Sequence, residues 1–211
     1  MAATSEARQG SRRLGRPVRV AVDEIVNIAL ELFGARGLRG TSIAAVAKAS
    51  GLTDAGLLHH FRSKDELIAA VVERSAELQT EMVAELVAPG GLEALRRMGE
   101  WGEVVARTPE LAAAQIVLTT EALLEGSPLR ETYVHRYQAV RSLATALIRE
   151  GIERGEIDPT VAPEVEAIGI VAFLDGVKLQ WLLSGDEIPM AELTRQFFDG
   201  LTRRIALDRA A

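Results

Sequence analysis

Residues 41–64, TSIAAVAKASGLTDAGLLHHFRSK, leave the chain few choices. Two short apolar-periodic runs flank Ser50-Gly51-Leu52, and Gly51 is the one residue type that enters a left-handed turn without a Cβ penalty. Ala47, four positions earlier, is small enough to let the second run cross closely. Ile43, Val46, Leu52 and Leu57 supply apolar contacts between the two runs. Thr41 and Thr53 are placed to cap the two helices, each hydroxyl accepting a free first-turn N–H. The spacing predicts helices over about 42–49 and 54–60, joined as a helix-turn-helix.

The flanks extend this unit. Val22, Ile25, Ala29, Leu32 and Phe33 recur at steps of three and four, an amphipathic helix from Val22 or Asp23 to Gly34, with Gly37 closing the connection beyond it. Ser63 and Glu66 form a capping-box pattern that opens a further helix, continuing through Ile68, Val71, Val72, Leu78 and Met82 toward Val87. That helix links the small amino-terminal unit to whatever follows. Before it all, residues 1–20 are polar and basic, with Arg8, Arg12, Arg13, Arg16 and Arg19 against Glu6. They cannot bury an apolar face and are expected to form a flexible arm.

Charge sharpens the reading. The formal net charge is −6, yet the first 64 residues hold ten Lys and Arg against five Asp and Glu, while the remainder holds fourteen against twenty-five. A basic head on an acidic body is the distribution expected where only the head meets phosphates. Gly15-Arg16-Pro17 within RRLGRP resembles the core of an AT-hook, and arginine on a flexible arm suits a narrow minor groove. Arg12, Arg13 and Arg16 are therefore candidate DNA contacts.

The run ALELFGARGLRGTSIAAVAKASGLTDAGLLHHFRSKDEL, residues 29–67, resembles the DNA-binding head of the tetracycline-repressor (TetR) family of bacterial transcription regulators. The resemblance covers about the first third of the chain. It implies that residues 54–60 form the recognition helix, entering the major groove of double-stranded DNA. The candidate contacts are Thr41, Ser42, Thr53, Asp54, Ala55, Gly56, Leu58, His59 and Lys64. The resemblance makes Lys64 a phosphate clamp and places His59 in the contact set, where it is expected to bond a phosphate; His60 is expected to pack into the head. Where many members have lysine, glycine, threonine and tyrosine, this chain has Asp54, Ala55, Gly56 and Leu58. Leu58 lacks the phosphate-bonding hydroxyl, leaving contact with a thymine methyl or simple packing. Asp54 keeps two readings open: complement to the helix dipole, or acceptor for a cytosine amino group.

The rest reads as all-α. Helices are expected over about 92–107, 109–124, 128–154, 163–184 and 189–207, punctuated by Pro89-Gly90-Gly91, Gly126-Ser127-Pro128 and Gly155 through Pro159. The fold expected is thus an N-terminal three-helix helix-turn-helix head plus a larger C-terminal helical bundle whose last two helices dimerise. The boundaries are an arm over 1–20, a DNA-binding domain over 21–66, and a sensing and dimerisation domain over 67–211. The helix over 164–184 is apolar nearly all round and so must be covered on more than one side. Gly169 and Gly176 share a face of it; Phe173, Leu179 and Trp181 belong to the same helix. The final helix offers Leu193, Phe197, Leu201 and Ile205. A homodimer pairing these helices with their copies as a four-helix bundle is the economical solution, and two heads would then read a palindromic operator.

Seven of the nine aromatic residues lie beyond the head. The resemblance implies an effector pocket in this body, commonly apolar with a few polar groups. Met98, Trp101, Val105, Ile116, Tyr133, Tyr137 and Phe173 are candidate wall residues, with Gln115, His135 and Arg141 as candidate polar anchors. The effector expected is a small apolar or amphipathic molecule that shifts the dimer between two head spacings. The alternative is a ligand-independent repressor or a protein-regulated adaptor.

No GxGxxG, P-loop, GxSxG or HExxH pattern is present, and there is no cysteine. An enzyme is not expected, nor a cofactor or metal. Adjacent His59 and His60 point about 100° apart on a helix and do not make a metal pair. The longest apolar run, residues 167–174, ends at Asp175, short of the ~18 residues a membrane span needs. The expected location is the cytoplasm.

Overall fold

The computed structural model describes residues 21–208. Ten α-helices follow one another there: α1 (Val22–Gly40), α2 (Ile43–Ala49), α3 (Asp54–His60), α4 (Lys64–Val87), α5 (Gly91–Arg97), α6 (Trp101–Ala106), α7 (Pro109–Ala122), α8 (Arg130–Glu153), α9 (Pro163–Ser184) and α10 (Met190–Ile205). Among the described residues there is no strand, only an isolated antiparallel bridge between Ile157 and Ala206. It ties the α8–α9 connection to the end of α10, through Asp158 N–H to the Ile205 carbonyl and Leu207 N–H to the Glu156 carbonyl, both at 2.9 Å. The expected helix over 92–107 is divided: α5 gives way at Met98–Glu100 to a tighter 3-10 turn before α6 resumes. The first helix runs on to Gly40 but breaks at Gly37, whose φ of 70° no β-carbon-bearing residue adopts comfortably.

Two cores organise the chain. The first gathers α1, α2, α3 and the first half of α4, and does not close on itself. Leu111, Ala114 and Leu118 of α7 join it, as do Leu129 and Tyr133 at the start of α8. The boundary expected at residue 66 is therefore not a gap in the packing. Helices α1 and α7 approach so closely that a Cβ on Gly34 would lie 3.0 Å from the Ala114 Cα. The second core is built by α5, α6, α8, α9 and α10 around Trp101, Ile148, Phe198 and Ile205. A second close crossing lies here, with Gly102 against Ala191 at 2.8 Å for the same hypothetical atom.

Helix α5 has no capping side chain of its own at Gly90. Its free N–H groups are taken by carboxylates from across the fold: Gly91 N–H donates to Glu150 at 3.0 Å and Leu92 N–H to Glu156 at 2.9 Å. A charged acceptor at a helix start also complements the helix dipole. Glu156→Ala should cost about 1 kcal/mol, the usual loss of an N-terminal cap, read as a lowered urea midpoint with unchanged slope.

Helix α9 spans Pro163–Ser184, the range expected for it, with Asp175 and Lys178 midway along it. Over that whole length it is, by length and composition alone, apolar enough to cross a membrane, although its uninterrupted apolar run is too short to do so. One side of it is spent on the body's core through Ala167, Ile170, Leu174 and Val177. The other is bare. Val165, Ile168, Leu179 and Leu183 are exposed, and a Cβ added at Gly169 or Gly176 would meet nothing within 4 Å.

Candidate nucleic-acid interface and interior cavity

The turn between α2 and α3 is built as its residues require. Gly51 has φ +68°, and Leu52 N–H returns to the Ala47 carbonyl at 2.8 Å. Val46, Ala47 and Leu57 are buried at 1% exposure or less, so the inner faces of the two helices are locked together. Thr53 caps α3 by accepting the Gly56 N–H at 3.1 Å. Asp54, Ala55, Leu58 and His59 stand exposed, with Gly56 half-buried among them. The outer face of α3 is therefore free to meet a groove.

Three head residues differ from expectation. Ser42, not Thr41, caps α2, accepting the Ala45 N–H at 3.1 Å. Thr41 is buried, and its hydroxyl hydrogen-bonds the Leu32 and Gly37 carbonyls at 3.1 and 3.0 Å. It ties together the two sides of the break in α1 at Gly37. Lys64 donates to the Leu38 carbonyl, tying the start of α4 to the end of α1. His60 is exposed beside His59, their rings 5.9 Å apart, because Leu57 and Phe61 already fill the core beneath. Ser63 accepts the Glu66 N–H at 3.1 Å, while the Glu66 carboxylate reaches back one residue further than the capping box, to Arg62 N–H at 2.7 Å. Arg39, Lys48 and Arg62 are exposed cations of the head that sequence reasoning did not single out; their only signal was charge. Arg12, Arg13 and Arg16 lie outside the described residues.

The body encloses a cavity of about 250 Å³ between α4, α7, α8 and α9. Of the candidate wall residues, Met98, Trp101 and Tyr137 line it, together with Gln115. Tyr133, Val105, Ile116 and Phe173 do not. Tyr133 is buried in the first core, its hydroxyl pushed up to about 12 by burial. Val105 faces a smaller void between α4, α6 and α7. Phe173 stacks on Phe197, centroids 3.9 Å apart, at the outer edge of the α9–α10 pair. His135 is exposed, and Arg141 lies on a separate shallow surface.

The charged groups of the cavity were not foreseen. Asp175 and Lys178 of α9 and Arg136 of α8 line it. The Tyr137 hydroxyl donates to Asp175 Oδ2 at 2.6 Å, and Lys178 Nζ lies 3.4 Å from Oδ1 of the same carboxylate. Burial, then the hydrogen bond to Asp175 and that carboxylate's charge, raises the Tyr137 phenol, so it stays a donor. Burial lowers the Lys178 ammonium despite Asp175 beside it. The available signal was two charges midway along an otherwise apolar helix, a placement that marks function more often than packing.

Helix α10 also turns differently. Phe198, Leu201 and Ile205 face the protomer's own core, so Leu201 is not free for a partner, while Leu193 and Phe197 are half-buried, Phe197 against Phe173 of α9.

Comparison with known proteins gives this geometry its class. Residues 25–71 match the family model of bacterial regulatory proteins of the tetR family, and residues 93–206 match that of the BetI-type transcriptional repressor C-terminal domain. The chain belongs to the TetR family of DNA-binding transcription regulators and carries a BetI-type C-terminal domain. It is not an enzyme. It is similar to the HTH-type transcriptional regulator UidR of Escherichia coli K12, 28% identical over 65% of this chain and 69% of the relative. It is also similar to the HTH-type transcriptional repressor KstR2 of Mycobacterium tuberculosis H37Rv, 21% identical over 82% and 87%. A transcriptional regulator from Saccharomonospora viridis, solved in complex with choline, shares the fold with a TM-score of 0.66 at 22% identity, over 88% of this chain and 96% of that one.

Proposed function

We propose that the chain is a cytoplasmic, homodimeric repressor whose hold on a palindromic operator is set by a small molecule bound in the body cavity. One observation carries the coupling: α4 begins at the head, where Ser63 caps it and Lys64 holds α1, and its later residues Gln79, Thr80, Val83 and Val87 form a wall of the cavity. A ligand that prefers one position of that wall biases the heads to which the helix is attached. A 100-fold change in operator affinity needs only about 2.7 kcal/mol of differential binding. Ser42, Thr53, Asp54, Ala55, Gly56, Leu58 and His59 remain the contact set this reading proposes for the groove. Thr41 and Lys64 act as struts that hold the recognition helix at its angle.

The dimer seam is proposed on the bare side of α9. Val165, Gly169, Ala172, Gly176 and Leu183 follow one stripe at steps of three, four and seven, with Ile168, Leu179 and Phe173 flanking it. Glycines there would let two such helices approach closely, and burial of so apolar a face is favourable at about 25 cal/mol per Å².

Selection of bound fragments from genomic DNA, followed by gel shifts in a salt series, tests the reading. The logarithm of affinity should fall with that of salt at about −0.9 per phosphate neutralised. Cavity ligands found in a thermal-shift screen should change the operator affinity. An operator affinity that no stabilising ligand alters would favour a ligand-independent repressor instead. Asp54 supplies a narrower prediction: Asp54→Lys should change which sequences are selected, with affinity for its own best site within about tenfold of wild type, one bidentate pair being worth about 1–3 kcal/mol. An unchanged selection profile would reduce Asp54 to a helix-dipole role.

A further inference from the structure

The cavity's charges do not balance. Among its lining residues, Arg136 and Lys178 are cationic and Asp175 alone is anionic. That carboxylate is already shared, one oxygen accepting from Tyr137 and the other facing Lys178. Lys178 is 5% exposed, so water does little for its charge. The Arg136 guanidinium gives Nη2 to Gln79, while its Nη1 is buried with no hydrogen-bond partner among the described residues. The two cations also repel one another: proximity to Arg136 adds to the lowering of the Lys178 ammonium, after burial as the larger cause. A buried guanidinium nitrogen without an acceptor is costly, and so is an excess positive charge in a mostly apolar chamber.

We propose that the effector is an amphipathic anion, an apolar body ending in a carboxylate or a group of like charge, whose head bridges Lys178 and the free Nη1 of Arg136. This rests on the reading of the cavity as the effector site. The remaining wall suits such a molecule. Val83, Leu95, Leu147, Ile170 and Leu174 take the apolar body, and the opening runs along α8, where Ala139, Val140 and Leu143 are exposed. A cationic ligand meets the opposite arrangement. The one indole of the cavity, Trp101, already has Lys178 Nζ 5.9 Å from its ring centre, so a quaternary ammonium would have to enter beside two fixed positive charges. Both charged contacts come from α8 and α9, while Gln79, which Arg136 now holds, belongs to α4. An anion that draws Arg136 toward Lys178 competes for that hydrogen bond and releases the helix attached to the head.

The test uses the full chain and three probes of one body length: octanoate, octan-1-ol and octyltrimethylammonium. Binding is measured by calorimetry and thermal shift, for wild type, Lys178→Met and Arg136→Gln. Octanoate should bind at least about tenfold more tightly than the alcohol, charge-assisted hydrogen bonds being roughly twice as strong as neutral ones, and the ammonium should be weakest. Lys178→Met keeps the volume but leaves the Asp175 carboxylate without its ammonium neighbour, so it should melt at a lower temperature; Arg136→Gln leaves that pair in place and carries the test if Lys178→Met folds poorly. In either variant the preference for acid over alcohol should shrink by about tenfold while the alcohol's own affinity changes little. Equal binding of acid and alcohol, tighter binding of the ammonium, or a preference unmoved by both substitutions overturns the anion and leaves the cavity an effector site. Failure of all three probes to bind overturns the anion and the effector reading together.

Discussion

Gly176→Arg should split the protein into single folded chains of 22.8 kDa. The substitution should leave the protomer folded, because a Cβ added at Gly176 meets nothing within 4 Å and the longer side chain can extend from that open face. It is ruinous to the proposed seam, where an arginine would stand in the middle of the apolar stripe running from Val165 to Leu183. A desolvated, unpaired guanidinium at such a place costs several kcal/mol. Helix content by circular dichroism should be retained while sedimentation equilibrium reports half the wild-type mass. Operator affinity should fall by about 100- to 10,000-fold, the advantage that linking two half-site readers confers. A variant that stayed dimeric would move the interface elsewhere, and Gly169→Arg, one heptad earlier on the same face, should behave alike.

Phe33→Ala tests the other joint, between head and body. Phe33 has no exposure and belongs to the core that α7 and α8 complete with Leu111, Leu118 and Tyr133. Beside it, Gly34 already brings α1 into backbone contact with Ala114, so the helices cannot close further on an emptied site. The full cost of a large-to-small change is therefore expected, about 3–5 kcal/mol. For a chain of this size each kcal/mol lowers the melting temperature by about 2–4 °C. Thermal and urea unfolding measure it, and a loss under about 1 kcal/mol would show that the joint relaxes. Because the same contact holds the head's angle, operator binding should weaken at temperatures well below the transition.

Much of this was legible beforehand, and the reason differs by residue. Thr53, Gly51 and Ser63 act through hydrogen bonds and backbone angles confined to one turn of helix, so their neighbours in sequence are their neighbours in space. The helix breaks at Gly90, Gly126 and Gly155 were readable on the same ground. Thr41 was misplaced because two residues competed for one cap; Ser42 took it, and the Thr41 hydroxyl turned inward to the Leu32 and Gly37 carbonyls across the break in α1. Tyr133 and Phe173 looked like cavity walls from composition, but an aromatic ring fills whichever space the crossing of its helix presents. Leu201 looked available to a partner for a similar reason, one step of helical phase separating it from Phe197.

The amino-acid sequence alone determined the all-α class, the turn that aims α3 and the family to which the chain belongs, since these rest on local angles, caps and periodicity. Tertiary structure alone decided that Lys64 and Thr41 brace the head, that α4 walls a cavity, and that Arg136, Asp175 and Lys178 meet there with one charge in excess. Tyr137 and Asp175, 38 positions apart, were brought together by the packing of whole helices, and no signal shorter than the fold itself records which faces of those helices will meet.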